Sequence, residues 1–103
     1  MNTVIAVVTT IRDEYGVPIW AMRGPSRAAK VREARQLAIH FIHKHAKLSL
    51  TKTGKRLNRD HSTVIHSNQV VANELATNKV YQRRYAFING LILHKINNGY
   101  ERS

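Results

Sequence analysis

The sequence predicts an all-α domain, a compact bundle of about five or six helices containing a helix-turn-helix. Three observations carry that expectation. Apolar residues recur at helical spacing through most of the chain. Gly, Pro, Ser and Asn interrupt the pattern at short intervals. Two short amphipathic stretches meet at a tight break inside a strongly basic setting.

The elements follow in order. Val4, Val8, Ile11 and Tyr15 share one helical face over residues 3–15, although a β-branched run such as Val4 to Ile11 also suits a strand. Gly16 and Pro18 end that element, and Pro18 to Met22 reads as one apolar turn with Trp20 and Met22 expected in the core. Gly24-Pro25-Ser26 is a second stop and start, with Ser26 or its neighbour as the expected cap. From there to Ala46 one long helix is expected, burying Val31, Ala34, Ala38, Phe41 and Ile42. Ser49 caps a short helix that runs to Leu57, Asn58-Arg59-Asp60 is the break, and a second helix runs from His61 to about Leu75. Its apolar positions are Val64, Ile65, Val71, Ala72 and Leu75, so the helix-turn-helix spans about 49–75. A last helix, Lys79 to Asn97, sets Tyr81, Tyr85, Ile88 and Ile92 on one side, and a tail over 98–103 is expected to be flexible. One domain over residues 1–103 accommodates all of this.

Charge narrows the function. Seventeen Lys and Arg stand against six Asp and Glu, for a formal net charge of +11. Between Arg23 and Asp60 there are eleven basic residues and two acidic ones, Glu33 and Asp60. Arg27, Lys30, Arg32 and Arg35 crowd the start of a helix, where the helix dipole disfavours cations. A polyanion would explain that placement, because each phosphate neutralised releases counterions. A merely basic protein, or one resting on anionic lipid, is the alternative. No apolar stretch approaches the roughly 18–20 residues that span a bilayer, and no secretory leader is expected. The chain has no cysteine, hence no disulfide and no thiolate metal site, which is compatible with a reducing cytoplasm.

At Arg59-Asp60-His61-Ser62-Thr63-Val64-Ile65-His66 the chain resembles the signature of the C-terminal DNA-binding domain of the bacterial replication initiator DnaA. Arg35-Gln36-Leu37-Ala38 is similar to the start of that family's central helix. Leu48-Ser49-Leu50 before Gly54 lies at the family spacing, and Tyr15 to Met22 followed by Arg27 resembles its connecting helix and basic approach segment. The resemblance implies a Trp-repressor-like fold and a partner in double-stranded DNA. It implies that Arg27 reaches into a minor groove, that Asp60, His61 and Ser62 meet base edges in a major groove, and that Arg35, Gln36, Thr63 and His66 hold phosphates. The chemistry fits: a carboxylate accepts from cytosine N4, imidazole carbons lie against a thymine methyl, and hydroxyl or amide groups suit phosphates. Asp60 could equally be only a helix cap, and His66 only a surface histidine.

The departures have consequences. A single Asn58 stands where the family has two glycines, so the turn is one residue shorter. Lys52 and Lys55 stand where many members have acids, and with Arg59 they are expected to strengthen phosphate binding. The chain contains no G-x-x-x-x-G-K-[ST] phosphate loop, so ATP hydrolysis by that route is not expected. An enzyme is not expected either. His40 and His43 lie three apart on a helix, yet few carboxylates and no cysteine join the six histidines, so no metal and no cofactor are expected. The expected role is regulation of transcription or replication at DnaA-box-like sites, in a bacterial or phage-encoded protein of the nucleoid. The alternatives are the DNA-binding subunit of a multi-protein initiator and a non-specific basic DNA binder. Other replication or transcription proteins are conceivable partners, a membrane is not, and the oligomeric state is open.

Overall fold

The computed structural model describes residues 3–98. Six α-helices and no strand occur among them: α1 (Thr3–Tyr15), α2 (Ile19–Arg23), α3 (Ala29–Phe41), α4 (Leu50–Arg56), α5 (His61–Thr77) and α6 (Lys79–Asn97). The β-branched start is therefore helical. Val7 and Ile11, four residues apart, are fully buried, and α1 packs against both α3 and α6. The flexible tail expected over 98–103 lies outside the described residues except for Asn98, whose N–H donates to His94 O at 3.0 Å.

Helix α3 is the centre, packed against α1, α2 and α5. Ala34, Leu37, Ala38, Ile39 and Phe41 are all buried, so its second half is enclosed nearly all round rather than along one stripe. The helix expected to continue to Ala46 instead widens at Phe41 into a π-helical turn, Ile42–Ala46, and ends at Lys47 in the left-handed region (φ 57°). That wider turn places His43 and His45 toward α5 and α6. His40 bonds Asn68 (2.9 Å) and Tyr85 (2.7 Å), Asn68 also meets His43 (3.2 Å), and His45 meets Asn89 (2.7 Å).

Two core expectations are corrected. Met22 is fully buried, but Trp20 is 77% exposed. Helix α2 is a single turn, and residues two apart on a helix point about 200° apart, so one cannot follow the other inward. On α5 the buried line is Val64, Ser67 and Val71, while Ile65 and Ala72 face out. Ser26 does not cap α3. Its Oγ accepts from Ala28 N–H at 3.3 Å in the preceding turn, and Ala28 itself is the cap residue.

No helix among the described residues is long and apolar enough to cross a membrane. No group of three or more metal-ligating side chains occurs among them either.

Candidate nucleic-acid interface

The helix-turn-helix is built from local chemistry. Ser49 Oγ accepts from Lys52 N–H at 3.1 Å and starts α4. At the other end Asn58 takes the left-handed conformation (φ 60°), which asparagine tolerates better than most residues and which a glycine would otherwise supply. Arg59 N–H then donates to Gly54 O at 2.8 Å. The chain turns so tightly that a Cβ on Gly54 would lie 2.5 Å from Arg59 O and 2.9 Å from Asp60 O. Only glycine fits there.

Asp60 opens α5. Its Oδ1 accepts from Thr63 N–H (3.1 Å), from Ser62 Oγ (2.7 Å) and from Thr63 Oγ1 (3.4 Å). Those bonds, the Ser62 hydroxyl first, hold the carboxyl below its ordinary pKa of 3.8, so it is anionic at neutral pH. All three of these bonds fall on Oδ1. Asp60, His61, Ser62 and His66 are exposed and Thr63 is half-buried. A shallow cleft lined by Thr51, Lys55, Asn58, Arg59, Asp60 and His61 lies where α4 meets α5.

Next to it, sharing Lys55, is a cleft lined by four cations, Arg23, Lys52, Lys55 and Arg56. Lys52, Lys55 and Arg56 fall at i, i+3 and i+4 on one face of α4, where like charges repel by a few tenths of a kcal/mol per pair. The sequence reading found the two lysines and missed Arg23 and Arg56. Only folding brings Arg23 of α2 to α4, where its Nη1 donates to Arg56 O at 2.8 Å. Ile65 was also missed. It is 43% exposed, one turn on from His61, on the outward face of α5.

Arg27 is exposed in the segment before α3, with Lys30 and Arg32 beyond it. The two acids of the basic stretch do not neutralise this group. Asp60 caps α5, and Glu33 is taken by Arg84 Nη1 (2.6 Å) and by the Tyr15 hydroxyl.

Two expected residues sit elsewhere. Gln36 is half-buried and lines a separate cleft between α3, α5 and α6 with Arg32, Glu74 and Val80. Arg35 is 7% exposed. Its Nε donates to Met22 O (2.8 Å) and its Nη2 to Ser26 O (2.9 Å) and Gly24 O (3.1 Å). That placement turns Nε and Nη2 of Arg35, a residue expected on a phosphate, onto the protein's own carbonyls. Burial first, and then the neighbouring Arg59 charge, lower its pKa.

A tight glycine turn, a capped second helix and an outward face of short polar residues define a helix-turn-helix domain. The family described as bacterial dnaA protein helix-turn-helix matches residues 4–71, and the chain belongs to it. The chain is 32% identical over 83 residues to the chromosomal replication initiator protein DnaA of Mycobacteroides abscessus, covering 80% of this chain and 16% of that protein. It is 31% identical over 80 residues to the DnaA of Flavobacterium psychrophilum, covering 77% and 17%. Against the DnaA of Bacteroides thetaiotaomicron it is 28% identical over 94 residues, covering 90% and 20%. The chain thus spans a fifth or less of the length of these relatives.

Proposed function

We propose that this chain binds double-stranded DNA with sequence preference at DnaA-box-like sites and serves there in control of transcription or of replication, not as an enzyme. The observation that carries the reading is the continuity of one surface. The exposed start of α5 adjoins four cations that form no ion pair among the described residues, and Arg27 is exposed in the segment before α3. In this reading α5 enters the major groove, with Asp60 Oδ2 accepting from a cytosine amine and His61 and Ser62 beside it. Ile65 meets a thymine methyl. Arg27 reaches the adjacent minor groove. Arg23, Lys52, Lys55 and Arg56 lie on phosphates, with Thr63 and His66 further along the same strand.

Selection of bound sequences from random duplexes tests this, followed by competition among the selected site, a DnaA-box duplex and a shuffled duplex. The selected site and the box should displace labelled DNA far better than the shuffled one. Asp60→Ala or His61→Ala should lower affinity for the selected site by roughly tenfold or more and blur discrimination. Lys52→Ala or Lys55→Ala should weaken all duplexes alike and reduce the salt slope by about one. Equal displacement by box and shuffled DNA would leave only a non-specific basic domain.

A further inference from the structure

The basic residues near the turn divide into two kinds. Lys52, Lys55 and Arg27 are exposed, whereas Arg35 and Arg59 direct their guanidinium groups onto backbone carbonyls. Arg59 Nη2 donates to Gly24 O at 2.6 Å, and its Nη1 to Leu57 O and Asn58 O at 3.1 Å each and to Arg23 O at 3.4 Å. From the other side Arg35 reaches Met22 O, Gly24 O and Ser26 O. Both guanidinium groups therefore converge on the Gly24 carbonyl, and among the described residues neither forms an ion pair with a carboxylate. Asn58 Nδ2 adds a bond to Arg23 O at 3.4 Å, and Arg23 returns one to Arg56 O. Pro25 has no N–H to contribute to holding this segment.

We infer that Arg59 and Arg35 are positioning residues that clamp the Gly24–Ser26 backbone between the helix-turn-helix and α3, so that Arg27 and His61 are held in one fixed relation and the minor-groove and major-groove halves of a site are read together. Arg27 follows the clamped segment directly, and Arg59 stands two residues before His61. A guanidinium offers five donors in a rigid plane and can serve several carbonyls at once. A lysine ammonium carries the same charge without that geometry. The short turn at Asn58 depends on the same clamp, since Leu57 and Asn58 give their carbonyls to it. Arg59 thus acts through Arg27 and α5 rather than on a phosphate.

The inference rests on the DNA-binding reading, so the wild-type chain is measured first on selected and shuffled duplexes. No discrimination there defeats that reading itself and the coupling with it. Given discrimination, Arg59→Lys is compared with Arg59→Ala, with folding checked by circular dichroism. Arg59→Lys should bind shuffled DNA as the wild type does and keep its salt slope, yet lose about tenfold on the selected site, the size of one lost base contact. The penalty for replacing A·T by G·C pairs in the minor-groove half, also about tenfold in the wild type, should shrink toward unity. Should Arg59→Lys not fold, Asn58→Gly keeps the positive φ, removes the bond to Arg23 O, and should move the A·T penalty in the same direction by less. An Arg59→Lys that behaves as wild type on every duplex, with Arg59→Ala losing all duplexes equally and about one unit of salt slope, makes Arg59 a phosphate contact and overturns the inference. An Asn58→Gly with an unchanged A·T penalty does the same when the lysine variant is unfolded.

Discussion

The two flanks of α3 are held by different means. Toward α1 and α6 the contacts are apolar, and the polar groups among them pair with one another: His40 with Asn68 and Tyr85, His45 with Asn89, and Glu33 with Arg84 and Tyr15. Toward α2, α4 and the start of α5 the buried Met22, Leu57 and Val64 are joined by cations on carbonyls, with further cations left over. The first flank satisfies itself. The second also carries cations that pair with no carboxylate among the described residues, and that surplus is where an anionic partner gains most. Stability and recognition are thus assigned to opposite sides of one helix, and substitutions should separate them.

The largest effect should come from joining the two. Gly54→Ala forces a Cβ against two backbone oxygens at the turn, where no flexible side chain can give way. We expect a loss of about 1–3 kcal/mol in stability, the usual cost of overpacking, read by urea unfolding. Affinity for the selected duplex should fall in the same variant, because α5 is displaced. A stable variant that loses neither would mean that the turn is soft.

A second substitution touches only the self-satisfied flank. Burial, then the charges of Lys44, His45 and His43, hold the His40 pKa below 6.5, against the bond to Asn68, which raises it. The unfolded chain therefore binds more protons than the folded one between the folded value and 6.5. Stability is present in full above 6.5 and is lost as pH falls through the folded pKa. Thermal midpoints should drop on acidification below 6.5, and His40→Gln should flatten that part of the profile while leaving the salt slope of DNA binding unchanged. A profile identical in both proteins refutes the assignment to His40.

The smallest effect tests the interior of α5. Ser67 is 1% exposed and its hydroxyl finds no partner among the described residues. Ser67→Ala should be neutral or stabilising by about 1 kcal/mol, since an unsatisfied buried group is removed. Destabilisation would reveal a bridging water.

Much of this was legible in the sequence because it is written locally. Ser49, Asp60 and Asn78 each accept a hydrogen bond from a backbone N–H at the start of the helix they precede. Capping of that kind needs only neighbours in sequence, and α1, α4, α5 and α6 follow the expected spans closely. What was not legible depends on which face of a helix turns inward and on what arrives from elsewhere. Trp20 and Ile65 are apolar yet exposed, and Arg35 is charged yet buried, because α2 and α5 each offer one inward stripe and α3 is surrounded. Arg23 and Arg56 lie far apart in sequence, so no spacing rule could pair them. Gln36, expected on phosphates by resemblance, lines a cleft with residues of α5 and α6.

Between α5 and α6 stands a single residue. Asn78 gives its N–H to Glu74 O at 2.9 Å, closing one helix, while its Oδ1 accepts from Tyr81 N–H at 3.0 Å, opening the next. Such a joint has no slack, and through it α6 fixes the far end of α5. Its 17 residues make an arm of about 25 Å at 1.5 Å per residue. A tilt of about 5° at Asn78 would carry His61 through roughly 2 Å over that arm, enough to move a side chain out of hydrogen-bond range of a partner. The position of His61 is therefore set from both ends of the helix, by the Gly54 turn beside it and by how firmly Tyr81, Ile88 and Ile92 seat α6 in the core.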